Sequence, residues 1–199
     1  KIRIILMSSD CCNTDESNKN LKGLDHKDAI QERYGSAALE KESCLCTPVG
    51  FNPVLLEAIP EEVIERDYGC GDPTKYVKKN DIVLDLGSGS GKNAFICSQI
   101  VGEDGKVIGV DQNPEMLSLS RSASKKFSEK IGFNNTEFLG GSIENLDELN
   151  KDLNPLIADK SIDIILSNCV LNLVNPESRN NLLRNIKRVL KDKGRIAIS

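Results

Sequence analysis

Residues 81–91 read "DIVLDLGSGSG", and their interpretation decides the fold. "DIVLDL" is a short apolar run, rich in branched residues and closed by glycine, which predicts a buried β-strand rather than a helix. Gly87, Gly89 and Gly91 follow as G-x-G-x-G, and "KNAFICSQIV" (92–101) then takes up helical spacing. Small residues between a strand and a helix permit a tight turn and let a ligand approach the free N–H groups of the helix N-terminus. On its own this pattern also describes a tight turn with no ligand.

Working outward, the same alternation continues to the end of the chain. "KVIGVD" (106–111) predicts a second strand, and "NPEMLSLSRSASKKFSEK" (113–130) a second helix with Asn113 as its cap and Pro114 at its first position. "TEFLGGSI" (136–143) holds a third strand and "IDIILSN" (162–168) a fourth. "PESRNNLLRNIKRVLKDKG" (176–194) reads as one long helix ending at Gly194, and "RIAIS" (195–199) as a fifth strand. The class is α/β, a parallel sheet with right-handed crossovers. Upstream, "DAIQERYGSAALEK" (28–41) and "NPVLLEAIPEEVIERD" (52–67) carry helical spacing, whereas residues 8–25 are polar. The expected organisation is a flexible leader (1–27), a helical segment (28–76) carrying Cys44, Cys46 and Cys70, and a Rossmann-like domain (77–199) that is incomplete at its C-terminus.

Composition narrows the function. At 199 residues, 39% hydrophobic and 28% charged, the chain suits one globular domain, and no uncharged apolar stretch reaches the roughly 20 residues of a membrane helix. A net charge of −4 with interspersed lysines and arginines leaves no basic footprint, so nucleic acid is not an expected partner. The start, "KIRIILMSSD", is too short in its apolar part for a secretory signal, which predicts a cytoplasmic protein. The one histidine, His26, lies in polar "LDHKD" on an expected surface, which removes the usual general base and the common zinc patterns. Chemistry must run on thiols, carboxylates or a cofactor.

Seven cysteines, an odd number, argue against a disulfide framework. Cys97 falls mid-helix among apolar residues and is expected in the core. Cys11 and Cys12 lie in the leader without a readable role, and the C-x-C of Cys44 and Cys46 is either a mobile resolving or chelating pair or incidental. Cys70 sits between glycines in "RDYGCGDP" (66–73), where it has little to pack against, and is either accidental or chemical. Cys169 follows the fourth strand in "SNCVLNL" (167–173).

The glycine loop closes one residue earlier than the dinucleotide fingerprint, and Asp85 lies inside the strand before it. This resembles the first motif of class I S-adenosylmethionine-dependent methyltransferases. The resemblance implies a doubly wound parallel sheet, of which five parallel strands are present and the last two are missing, and a donor site at the carboxyl ends of the strands. Asp111 is placed to accept the ribose hydroxyls, and Asp85 to structure the loop or hold the donor's amino group. Ile143 and Glu144 are placed beside the adenine, Met116 beside it or in the core, and Gly87, Ser88, Gly89, Gly91, Gln112 and Asn168 complete the donor-binding set.

A narrower resemblance spans residues 28–199. "RYG", "YGCG", "VLDLGSGSG", "GVD", "ML", "GSIENL" and "SNCVLNL", in that order, resemble the arsenite S-adenosylmethionine methyltransferases. It implies trivalent arsenic as a small-molecule substrate, with Cys70 and Cys169 as its ligands. Cys44 or Cys46 would match an N-terminal cysteine that can form a disulfide with the "YGCG" thiol, with a thiol reductant, thioredoxin or glutathione, as co-substrate; a monomer is expected. The family's further cysteine ligand and C-terminal region have no counterpart in the chain. Lys92 and Asn93 also stand where members often carry a basic residue followed by an acid. The alternative is a small-molecule C- or O-methyltransferase with incidental cysteines.

Overall fold

Branched apolar residues in short runs build a sheet that is covered on both faces, as continuous apolar strands require. The computed structural model describes residues 3–6, 50–67, 71–151, 154–171 and 174–199. Its strands are β1 (Arg3–Leu6), β2 (Ile82–Leu86), β3 (Lys106–Asp111), β4 (Thr136–Gly140), β5 (Asn150–Lys151), β6 (Asn154–Pro155), β7 (Ile162–Ser167) and β8 (Leu190–Ile198). The helices are α1 (Pro53–Leu56), α2 (Glu61–Ile64), α3 (Lys92–Val101), α4 (Pro114–Ile131) and α5 (Arg179–Val189). Six strands form one parallel sheet in the order β1-β8-β7-β2-β3-β4, and β5 and β6 make a small antiparallel ribbon. The chain moves outward from β2 through β3 to β4, then returns to the other side of β2 with β7. The crevice between the carboxyl ends of β2 and β7 is therefore the switch point where ligands bind in such sheets.

The two faces carry separate cores. Val83, Val107, Ile164 and Leu166 meet Phe95, Phe127 and Phe138 on the side of α3 and α4. Leu84, Leu86, Ile108 and Ile165 meet Leu182, Ile186 and Val189 on the side of α5. Phe95 anchors the first core, with ring centroids 4.6 Å from Phe127 and 5.5 Å from Phe138, spacings typical of favourable tilted and edge contacts. The Asn113 side chain accepts the Met116 N–H and Pro114 opens α4, as the sequence predicts. Among the described residues, no helix is long and apolar enough to cross a membrane.

Two expectations are corrected. The sheet has six parallel strands rather than five, because Arg3–Leu6, assigned to the flexible leader, pairs in register with Arg195–Ile198 along the outer edge of β8. A four-residue edge strand depends on a partner almost two hundred positions away, which local pattern does not reveal. The long helix also stops earlier, at Val189. Leu190 turns to extended backbone, is fully buried and pairs with Ile162, and the next β7–β8 partners are Ile164 and Arg195. Residues 191–194 are thus an irregularity in β8 and not a last helical turn. The predicted helix at 28–41 lies outside the described residues.

Candidate active site

The carboxyl ends of β2, β3 and β7 bring most of the expected donor-site residues together. Gly87, Gly89 and Gly91 all take positive φ (72°, 52° and 94°), carrying the chain from β2 into α3. They are not equivalent. A Cβ on Gly89 would meet nothing within 4 Å, whereas one on Gly91 would stand 3.0 Å from both Phe138 Cζ and Phe95 Cε2. Gly89→Ala is accordingly expected to cost about 1–2 kcal/mol, the left-handed penalty alone. Gly91→Ala should cost roughly 2–4 kcal/mol, because overpacking adds to that penalty. Denaturant titration of the two variants checks the order.

Asp111 ends β3 and braces this loop. Its Oδ2 accepts the Gly89 N–H and its Oδ1 the Asn113 N–H, each at 2.8 Å. Burial pushes the carboxyl up from its ordinary value, against the N–H bonds from Asn113, Gly89 and Gln112. Asp85 is more extreme: burial, then the negative charges of Asp67 and Asp111, push it up to about 7. Its Oδ2 has no hydrogen-bond partner. Ser88 Oγ, Asn93 Oδ1, Asn113 Nδ2 and Ser167 Oγ are likewise buried and unpaired, all at this edge of the sheet. Buried polar atoms are nearly always satisfied, so such a cluster marks a place shaped for a polar ligand.

The remaining residues divide. Gln112 is exposed and Met116 is buried. Ile143 packs against the second core. Glu144 lies in the short helical turn after β4, as expected, but its Oε1 accepts the Asn175 N–H at 3.1 Å, so this carboxylate braces the turn that leads to α5. Cys97 is buried in the first core, as expected, and its thiol is pushed well up, chiefly by burial. Cys169 is half-buried, with its thiol free and its backbone at φ 57°. Left-handed backbone at a residue other than glycine is a costly conformation that concentrates at functional sites. Next to it, Asn168 Nδ2 reaches the Gly71 carbonyl at 3.5 Å. Cys44, Cys46 and Cys70 lie outside the described residues, and no cluster of three metal-ligating side chains occurs among those described.

Sequence reasoning missed Lys92 and Asp67. Lys92 is 1% exposed and paired with Asp67, and its ammonium lies 4.1 Å from the centroid of the Phe51 ring. Only the unusual "GKN" after the loop hinted at it.

Comparison with known proteins places the chain among methyltransferases. The chain is 36% identical over 184 residues to the arsenite methyltransferase of Rattus norvegicus, covering 87% of this chain and 47% of the relative. It is 40% identical over 197 residues to that of Halobacterium salinarum, covering 87% and 46%. The chain spans about half the length of the curated relatives it matches. Among solved structures, it is similar to CrArsM, an arsenic(III) S-adenosylmethionine methyltransferase from Chlamydomonas reinhardtii. There the TM-score is 0.66 and the identity 34%, covering 76% of this chain and 49% of that one. The fold is that of class I methyltransferases. The family described as "Methyltransferase domain" matches residues 77–199, the stretch that supplies β2 through β8, and the chain belongs to that family.

Proposed function

We propose that the protein methylates trivalent arsenic held by cysteine thiolates, with S-adenosylmethionine as donor. The observation that carries this reading is the junction of Cys169 with the segment that bears Cys70. Asn168, the neighbour of Cys169 in sequence, hydrogen-bonds the carbonyl of Gly71, the residue that follows Cys70 in sequence. Thiolates suit soft, thiophilic centres, and a site without histidine argues against ordinary zinc.

S-adenosylmethionine supplies an electrophilic methyl group on a sulfonium sulfur, which needs no general base. The residues fit its polar parts. Asp111 offers a carboxylate to the ribose, Asp85 offers one to a cationic group, and the unpaired Ser88 and Asn113 atoms remain for further polar contacts. Met116 lies at the adenine side of α4. The protein's chief contribution is orientation: Cys70 and Cys169 hold arsenic with its lone pair toward the crevice, which replaces a bimolecular encounter with an aligned one. Formation of the As–C bond oxidises arsenic to the pentavalent state. Two thiols, Cys70 with Cys44 or Cys46, give up two electrons and two protons to form a disulfide and return it to the trivalent state. A thioredoxin- or glutathione-type reductant regenerates them.

The test is titration of the reduced protein with arsenite, parent beside Cys70→Ser and Cys169→Ser, followed by assay of methylated arsenic after donor and thiol are added. Tight binding and turnover in the parent, both lost in the variants, are expected. Donor binding with indifference to arsenic would overturn the reading in favour of a small-molecule C- or O-methyltransferase.

A further inference from the structure

β2 and β7 are paired up to Leu86 and Ser167, and beyond these residues the two chains part. Gly87 turns at φ 72° toward α3, while Asn168, Cys169 and Val170 lead out of β7. Val170 reaches back across the gap. A Cβ on Gly87 would stand 2.5 Å from Val170 Cγ2 and 2.7 Å from Val170 Cγ1, so the isopropyl group rests directly on the bare Gly87 backbone. Glycine is needed here on two counts, its left-handed backbone and this neighbour.

Val170 is also kept from retreating. The Cys169 N–H donates to the Ser199 carbonyl at 2.9 Å and the Ser199 N–H to the Ser167 carbonyl at 3.0 Å, which ties the segment leaving β7 to the end of β8. The left-handed turn at Cys169, φ 57°, then brings the next residue over β2. Branching at Cβ restricts the valine rotamer, so the wall is stiffer than leucine or methionine would make it. Its surroundings are polar: Asp85 Oδ2, Ser88 Oγ and Ser167 Oγ are buried without partners at the same strand ends. A stiff apolar group among unpaired polar atoms, at the switch point of the sheet, suits a ligand that presents a charge and a small alkyl group together. A methylsulfonium is such a ligand.

We propose that Val170 is a specificity-determining residue of the donor crevice: its isopropyl group, backed by Gly87, limits the alkyl group on the donor sulfur to methyl. This rests on the donor half of the function proposed above and is independent of arsenic. A single methylene in an apolar pocket is discriminated by about 10–200-fold, which sets the size of the expected effect.

The experiment titrates the parent, Val170→Ala and Val170→Ile calorimetrically with three ligands. S-adenosylhomocysteine has no alkyl group to transfer, S-adenosylmethionine has methyl and S-adenosylethionine has ethyl. The parent should bind the ethyl ligand about tenfold or more weakly than the methyl one, and Val170→Ala should cut that ratio to about threefold or less. Val170→Ile should weaken the methyl ligand about tenfold while S-adenosylhomocysteine stays within about threefold. Ratios are compared between proteins, so the sulfonium charge that S-adenosylhomocysteine lacks cancels. A residue that only packs on the loop would shift all three ligands together, and that result would overturn the proposal.

Melting curves test the contact without ligand. Gly87→Ala should melt below the parent, and adding Val170→Ala should return part of the loss, with the left-handed penalty remaining. No recovery would show that the two residues do not touch in solution, and the proposal would fall. A parent that binds neither S-adenosylmethionine nor S-adenosylhomocysteine would remove the donor reading and the size limit with it. Binding of both with unaltered ratios in the variants would remove the size limit alone.

Discussion

Replacing Cys169 with glycine is expected to leave the protein as stable as its parent, within about 1 kcal/mol, while weakening arsenite binding about 10²–10⁴-fold. The two effects separate because the residue is expensive as backbone and valuable as a thiol. At φ 57° its Cβ carries the left-handed penalty, which glycine relieves, and the relief is offset by the greater freedom glycine gives the unfolded chain. The side chain is only half-buried, so deleting it leaves no closed cavity. Under the proposed function the thiolate, in contrast, closes a chelate with Cys70, and its removal turns an intramolecular second bond into none. Cys169→Ser is the matched control: it keeps the size and the strained backbone but offers a hard oxygen to a soft centre, so it should lose binding equally without the gain in backbone ease. Melting curves and arsenite titrations on the three proteins check the prediction. Glycine-substituted protein that binds arsenite like the parent would remove Cys169 from the ligand set.

The parts of this molecule that could be read from sequence are those whose cause is local. The glycine loop, the Asn113–Pro114 start of α4 and the Asp111 strand end each follow from a few adjacent residues, and the structure shows them as expected. The errors came from distant partners. Arg3–Leu6, basic and apolar, reads as part of a flexible leader until the edge of β8 is known. "KDKG" resembles the end of a helix, although burial of Leu190 against Ile162 had already drawn the chain into the sheet. The candidate site shows the same division. The strand positions of Asp85 and Asp111 before and after the loop were legible, whereas the commitment of Glu144 to Asn175 and the burial of Lys92 against Asp67 depend on contacts 31 and 25 residues apart. A lysine after a glycine loop gives no local sign of facing inward. Here a carboxylate and an aromatic face arriving from the preceding segment make its burial tolerable.

Donor affinity should rise about 100-fold from pH 5 to pH 8, and Asp85→Asn should abolish that dependence. Asp85 is fully buried, one of its oxygens has no partner, and burial together with the charges of Asp67 and Asp111 raises it to about 7. A cationic ligand group beside it needs the ionised form, so affinity falls about tenfold per pH unit below that value and levels above it. For the ligand-free fold the sign is opposite. A carboxyl raised in the folded state contributes stability that is fully present below its unfolded value of 3.8 and is lost as pH rises through about 7. The ionised, ligand-free protein therefore carries a cost on the order of 4 kcal/mol, which a bound cation relieves. The rise in melting temperature on adding donor should accordingly grow between pH 6 and pH 8 in the parent. Asp85→Asn should show a small, flat increase and a ligand-free form stabilised on the alkaline side. Burial also raises the Asp111 carboxyl, so Asp111→Asn is the matched control. S-adenosylhomocysteine, which keeps the ammonium but lacks the sulfonium charge, locates the contact. An equal pH slope for both ligands places Asp85 against the ammonium, and a slope for S-adenosylmethionine alone places it against the sulfonium. A flat profile for both in the parent would show that Asp85 stays protonated beneath the loop and serves only to shape it.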